Sequence, residues 1–288
     1  NIIPVFVRQN KIDILIYNSY STLRLPVNPG CPFIVESHSE RNNTPEATTL
    51  RVLRKIKRAS AVVALTAKDA LQWPETRRCV HIPNFTTIRQ QLPYNPDSRR
   101  VMAAGRLDTQ KGFDILVKSW RRVARRFPDH SLDIYYVPYS YGYELANLQS
   151  LINEEDLSHC VNLREATKDI ATALSEHSLF VLSSRYEGFG LVLIEAMACG
   201  VPCVSFDCPE GPSEIITDGE DGWLVPFRGL SDEERAEALA DALCDAIANR
   251  EKRIKFSEAG LLSVKRFSPE VIIPKWIDLF KSLTDSKK

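Results

Sequence analysis

Two carboxylates, Glu187 and Glu195, stand eight positions apart in YEGFGLVLIEAMACG, residues 186–200, a stretch with no other acidic or basic side chain. A buried, unpaired carboxylate costs several kcal/mol, so a carboxylate inside so apolar a segment must meet a cation or a set of hydroxyl and amide donors. For Glu195 the sequence offers two partners. One is an arginine such as Arg185 or Arg106; the other is a polyol, for instance a ribose, whose two hydroxyls one carboxylate accepts bidentately. Glu187 precedes the apolar helix, where the helix dipole favours negative charge. It therefore reads either as a helix-end acid or as the second acid of a ligand site.

Two cations stand on another short segment, GRLDTQKG (105–112). Arg106 supplies a bidentate fork and Lys111 a point charge, a combination suited to a diphosphate. The order of residues is not that of a P-loop. Gly105 lies beside these cations, and Gly188 and Gly190 let the backbone near Phe189 and Leu191 approach a ligand with no Cβ in the way. Cys199, Cys203 and Cys208 lack a CxxC pair and a nearby His, so no metal site is expected.

The elements that must position these groups alternate between strand-like and helix-like runs, which argues for parallel sheets built from βαβ units. Strands are expected at 12–17, 33–37, 61–66 and 79–83, then a polar, proline-containing linker at 91–100. Beyond it strands are expected at 100–104, 132–137, 161–163, 178–183 and 201–206. Helices are expected at about 113–127, 143–153, 168–176 and 190–199. Leu116, Trp120, Val123 and Phe127 keep helical spacing until Pro128, and Ser231 with Glu234 forms a capping box. The fold class is thus α/β, with two doubly wound parallel-sheet domains: 1–97 and 98–274, a last helix at about 275–288 packing back on the first. In such sheets ligands bind beyond the carboxyl ends of the strands. The segments carrying Arg106, Lys111 and Glu187 all follow strands and are expected to open onto one crevice.

Composition bounds the function. Of 288 residues 44% are hydrophobic and 26% charged, with 37 Lys and Arg against 37 Asp and Glu. A chain of zero net charge is not a strongly basic nucleic-acid binder. Residues 1–97 nevertheless carry an excess of six positive charges, and RVLRKIKR (51–58) concentrates Arg51, Arg54, Lys55, Lys57 and Arg58 beside Leu50, Leu53 and Ile56. That pattern suits either a basic helix on an anionic membrane surface or a solvated face whose apolar edge meets the core. With no long apolar run and no leader, the expected location is cytoplasmic, with peripheral association at the inner face of the membrane as the extension of the first reading.

GRLDTQKG followed by SSRYEGFGLVLIEAMACGVPCVSFDCPEGPSEIITDGEDGWLVP resembles the retaining glycosyltransferases of family 4, whose hallmark is E-x7-E, here Glu187 to Glu195. The resemblance covers about residues 79–280, and more loosely ESHSE, AVVALTAKDA and HIPNF in the first part. It implies the GT-B fold, two Rossmann-like domains facing a cleft. It implies a nucleotide-sugar donor, UDP-linked, and a glycan or lipid-linked acceptor in polysaccharide or glycolipid assembly, with no metal or other cofactor. By resemblance, Arg106 and Lys111 bind the donor diphosphate, with Gly105 allowing close approach. Glu195 holds the ribose. Glu187, with the amides of Gly188, Phe189, Gly190 and Leu191, holds the transferred sugar and its phosphate. His38 faces that sugar, and Asn84 lines the crevice. The catalytic set so implied is Glu187, His38, Arg106 and Lys111. Val137, Pro138 and Glu165 depart from the family's glycines where the nucleotide base would sit. The first domain is expected to lack the family's first strand and its glycine-rich loop. An epimerase or hydrolase of the same fold, and a nucleotide-sugar-binding module without catalysis, are the alternatives.

Overall fold

The computed structural model describes residues 2–18, 29–38, 50–137 and 143–285. These form two compact units, residues 1–85 with 267–288, and residues 86–266. Among the described residues, no helix is long and apolar enough to cross a membrane.

The first unit contains α1 (Ile2–Gln9), β1 (Leu15–Tyr17), β2 (Phe33–Ser37), α2 (Leu50–Ile56), β3 (Ala61–Ala64), α3 (Ala67–Ala70) and β4 (Cys79–His81). Its strands pair in parallel in the order β1-β2-β3-β4. β2 and β3 read as near-continuous apolar runs because parallel strands are covered on both faces. On one face Val35 and Val62 pack with Val52 and Ile56 of α2. Of the basic helix's apolar edge, Ile56 is therefore core and Leu53 is partly buried, while Arg54, Lys57 and Arg58 are exposed.

The second unit contains β5 (Arg100–Arg106), α4 (Phe113–Arg126), β6 (Ser131–Val137), α5 (Tyr143–Glu154), β7 (Val161–Glu165), α6 (Ile170–Ser175), β8 (Leu179–Leu182), α7 (Leu191–Ala198), β9 (Cys203–Phe206), α8 (Pro212–Ile215), β10 (Gly222–Val225), α9 (Asp232–Ala248) and α10 (Arg250–Ser263). The chain then returns to the first unit as α11 (Pro269–Thr284). Ile272 and Leu279 of α11 are buried against Ile34, Ala61 and Val63, with Trp276 packed beside them. In the second sheet all pairings are parallel, in the order β10-β9-β8-β5-β6-β7. Numbered within the unit this is 3-2-1-4-5-6 read from the other edge, the doubly wound arrangement whose order reverses between β5 and β8.

Local signals explain the helices. Trp120, Leu116 and Val123 of α4 are fully buried, and burying each such side chain stabilises by about 1.5–3 kcal/mol. Ser231 accepts from the Glu234 backbone N–H while Glu234 accepts from that of Ser231, closing the expected capping box of α9. The domain boundary falls at 85/86 rather than 97/98, because the proline-containing stretch is pinned to the second unit. Tyr94 Oη donates to the Ser178 carbonyl, Arg253 to that of Pro96, and Arg250 grips Asp97 through two bonds. Val137 ends β6, and Pro138 lies outside the described residues.

Candidate active site

The order reversal between β5 and β8 makes room for a site. β5 pairs with β6 at all seven of its residues, but with β8 only at Val101 and Met102. Towards their carboxyl ends the two central strands are not paired with each other, and the segments that follow them carry the candidate residues.

The first segment is shaped by its own side chains. Gly105 and Arg106 are the last residues of β5, paired with Tyr136 and Val137, rather than loop residues as the sequence reading had them. The ladder simply continues through the glycine. Asp108 then caps a 3-10 turn, Thr109–Lys111, accepting from the Lys111 backbone N–H. Gly112, at φ +60°, converts that turn into α4, and a Cβ there would lie 2.1 Å from the Ser183 carbonyl oxygen. Only glycine lets the two segments come this close. Arg106 donates to Asp108 (2.9 Å) and to Gln110 Oε1 (2.7 Å), and Gln110 Nε2 in turn donates to the Tyr186 carbonyl (2.9 Å).

Lys111 Nζ reaches Glu187 Oε1 at 2.6 Å. This ion pair joins the first segment to the second. Its side chains are 14% and 7% exposed, so it is poorly screened by solvent. Ser184 Oγ donates to the same oxygen, also at 2.6 Å, and Ser183 Oγ donates to the Lys111 carbonyl at 2.8 Å. The Lys111 stem runs past Gly105, where a Cβ would lie 3.1 Å from its Cγ and Cδ. The missing side chain at Gly105 thus accommodates Lys111.

Glu187 leads into α7. Phe189 is buried, and Gly190, at φ +97°, is the helix N-cap, so Leu191 opens α7 with a half-exposed side chain. The Phe189 carbonyl is packed on Gly211, where a Cβ would approach it to 2.1 Å. Gly188 is partly exposed between them. Glu195 lies in the second turn of α7, partly buried, with no hydrogen-bond or ion-pair partner among the described residues. Neither arginine expected as its protein partner holds it. Arg185 is bound to Asp114 and Asp232, and Arg106 to Asp108 and Gln110. Burial alone pushes the Glu195 carboxyl above the ordinary range.

Lys111, Glu187 and Gly105 are thus brought together, with Arg106 on the same segment. His38 and Asn84 belong to the first unit. His38 follows β2, exposed, its Nε2 2.9 Å from Glu36 Oε2; Asn84 is partly buried beyond β4. Cys199, Cys203 and Cys208 are buried free thiols, and burial pushes the Cys199 thiol up to about 11. Among the described residues no cluster of three His, Cys, Asp or Glu could hold a metal ion. Sequence reasoning missed Ser184 and Gln110. Ser184 could have been found from its place three residues before Glu187; Gln110 carries no comparable signal, since its bond to Tyr186 spans 76 positions.

Chemically, a cation paired with an acid, beside a second and unpartnered acid, can bind a ligand carrying phosphate at one place and hydroxyls at others. The family model described as Glycosyl transferases group 1 matches residues 84–263. The chain is 29% identical over 263 residues to an uncharacterized glycosyltransferase of Haemophilus influenzae, covering 89% of this chain and 71% of that protein. It is 32% identical over 180 residues to the amylovoran biosynthesis glycosyltransferase AmsD of Erwinia amylovora, covering 62% of this chain and 47% of the relative. Its structure matches the pneumococcal O-GlcNAc transferase GtfA in complex with UDP and GlcNAc with a TM-score of 0.83, at 19% identity, over 97% of this chain and 59% of that one. The chain therefore spans about half the length of the amylovoran relative and under two thirds of the pneumococcal protein. The structural likeness shows the fold, two parallel-sheet α/β domains of the GT-B kind.

Proposed function

The chain belongs to the Glycosyl transferases group 1 family, and we propose that it moves a sugar from a UDP-linked donor to a glycan or lipid-linked acceptor in polysaccharide or glycolipid assembly. The observation that carries this reading is the pairing of Lys111 with Glu187 at the switch point, with an unpartnered Glu195 eight residues further on. A nucleotide sugar has complementary groups for all three: a diphosphate for the lysine, sugar hydroxyls for Glu187 and ribose hydroxyls for Glu195. The UDP and GlcNAc held by the pneumococcal neighbour and the biosynthetic role of the amylovoran relative favour the same assignment.

In the proposed reaction the bond between the anomeric carbon and the diphosphate oxygen breaks while the acceptor oxygen bonds to that carbon from the same face. The acceptor's proton passes to the departing phosphate oxygen, and configuration is retained. Lys111, with Arg106 and the first amides of α7, stabilises the charge that grows on the diphosphate, the kind of electrostatic help that is worth most where water is excluded. That cationic charge serves in place of a metal. Donor binding exchanges the Lys111–Glu187 contact for phosphate and sugar, so each of the two residues keeps its partner desolvated and in place until the ligand arrives. Glu187 then binds sugar hydroxyls rather than attacking the anomeric carbon.

The test is UDP release from a panel of UDP- and GDP-sugars, with and without acceptor glycans, alongside UDP calorimetry. We expect turnover of a UDP-sugar by wild type, at least tenfold weaker UDP binding for Lys111→Ala, and a loss for Glu187→Ala that falls mainly on turnover. UDP affinity unchanged in Lys111→Ala sinks the assignment. UDP release equally fast without any acceptor points instead to a hydrolase.

A further inference from the structure

The side chain of Arg185 has no part in the scheme above, yet it makes four bonds beside the site. It lies between Ser184 and Tyr186 on the segment after β8. Its Nη1 donates to the Thr109 carbonyl and to Asp114 Oδ1, both at 2.8 Å. Its Nη2 donates to Asp114 Oδ2 at 2.7 Å and to Asp232 Oδ2 at 2.6 Å. Its backbone N–H donates to the Gln110 carbonyl at 2.7 Å. One residue thus fastens the segment after β8 to the turn after β5, to the first turn of α4 and to the first residue of α9.

We infer that Arg185 is a positioning residue for the transfer, holding the Lys111 turn and the Glu187 segment in register; the inference rests on the transferase reading of this site. The Thr109 and Gln110 carbonyls that it grips are near neighbours of a site residue. Thr109 and Gln110 immediately precede Lys111, and Arg185 itself lies two positions before Glu187. Only a planar fork can serve Thr109, both oxygens of Asp114 and Asp232 at once; a lysine offers a single point charge. Without the guanidinium, Asp114 and Asp232 lose the cation that they share. The side chains concerned are 23%, 46% and 37% exposed. Ion pairs this open to solvent contribute little to stability, whereas a misplacement on the order of 1 Å at a reacting centre costs about 100-fold in rate. Loss of Arg185 is therefore felt in turnover far more than in folding.

A control stands next to it. Arg235 binds the other oxygen of Asp232 at 2.7 Å and is 19% exposed, but its bonds run to Asp232 and to the Phe227 carbonyl, not to the turn after β5. The experiment compares wild type, Arg185→Ala, Arg185→Lys and Arg235→Ala in the full chain, reading thermal midpoint, UDP affinity by calorimetry, and kcat and KM with the UDP-sugar that wild type turns over fastest. For Arg185→Ala we expect kcat to fall by about 30-fold or more, in line with the cost of misplacement, while UDP affinity stays within about threefold because the ribose end is held elsewhere. Arg185→Lys recovers only a minor part of kcat, and Arg235→Ala turns over at close to the wild-type rate. Parallel losses of kcat and midpoint in Arg185→Ala and Arg235→Ala overturn the inference, as does an Arg185→Ala enzyme with near-normal kcat. A wild type that releases UDP from no donor defeats the transferase reading itself, and the positioning role with it.

Discussion

The second unit holds two carboxylates whose surroundings shift them in opposite directions. Asp133, in the amino-terminal half of β6, is fully buried and saturated with donors: His177 at 2.9 Å, Arg100 through two bonds, Asn162 at 2.8 Å and Arg164 at 3.1 Å. Burial raises its pKa, but those donors outweigh it and hold the carboxyl below the usual carboxylate range. Glu195, on α7, is only partly buried and has no such donors among the described residues, and its carboxyl is pushed up. A structural acid arrives with its partners, whereas an acid without partners inside a folded domain marks a place where a ligand supplies them.

The largest expected effect would break the saturated side of this contrast. Asp133→Ala leaves Arg100 and His177 facing a buried site without their anion, and removing one partner of a buried pair costs about 3–5 kcal/mol. Denaturant unfolding should record that loss, with UDP affinity unchanged wherever the variant is still folded. A loss of UDP affinity with stability intact would mean that the two centres are not distinct.

The next effects sharpen the unsaturated side by testing how its lysine is placed. Gly112→Ala forces φ +60° on an alanine and drives its Cβ against the Ser183 carbonyl, so we expect a loss on the order of 1–3 kcal/mol with a lowered thermal midpoint. Gly105→Ala meets only the flexible Lys111 stem, at 3.1 Å. Its stability should change by under about 1 kcal/mol, while UDP affinity falls a few-fold as Nζ is displaced. The reverse ranking in stability would show that Gly105, rather than Gly112, sets the approach of the two segments.

Much of this centre was legible beforehand. The segment GRLDTQKG and the alternation of apolar runs put Arg106, Lys111 and Glu187 on segments expected to open onto one crevice, and Lys111 and Glu187 do meet. The demand that Glu195 find a partner is met by neither Arg185 nor Arg106, both of which are held by other groups. The ties that fix the geometry were not legible, because they cross about 71 to 76 positions: Lys111 to Glu187, Gln110 to Tyr186, Arg185 to Asp114. No local periodicity reports contacts at that range. Asp133 was hidden for the same reason. Its partners come from β5, β7 and the segment preceding β8, and a lone Asp in a strand looks locally like an error. The domain boundary was misplaced because proline and polar residues signal a break in regular structure, not which side the broken stretch packs against.

Glu195 offers the most direct test of the central claim, that an unpartnered acid at this site awaits a nucleotide sugar. Its raised pKa means that the folded protein holds the proton more tightly than the unfolded chain. The stability it contributes is therefore present at low pH and lost as pH rises through the folded pKa. Ribose binding needs the carboxylate, so UDP affinity should rise over that same interval. The measurement is UDP calorimetry on wild type and Glu195→Gln over a series of pH values falling from neutral. At neutral pH wild type should bind about tenfold tighter, equivalent to about 1.4 kcal/mol, and the gap should close as the pH falls. Equal affinities at neutral pH, or a gap that does not change with pH, would contradict the account.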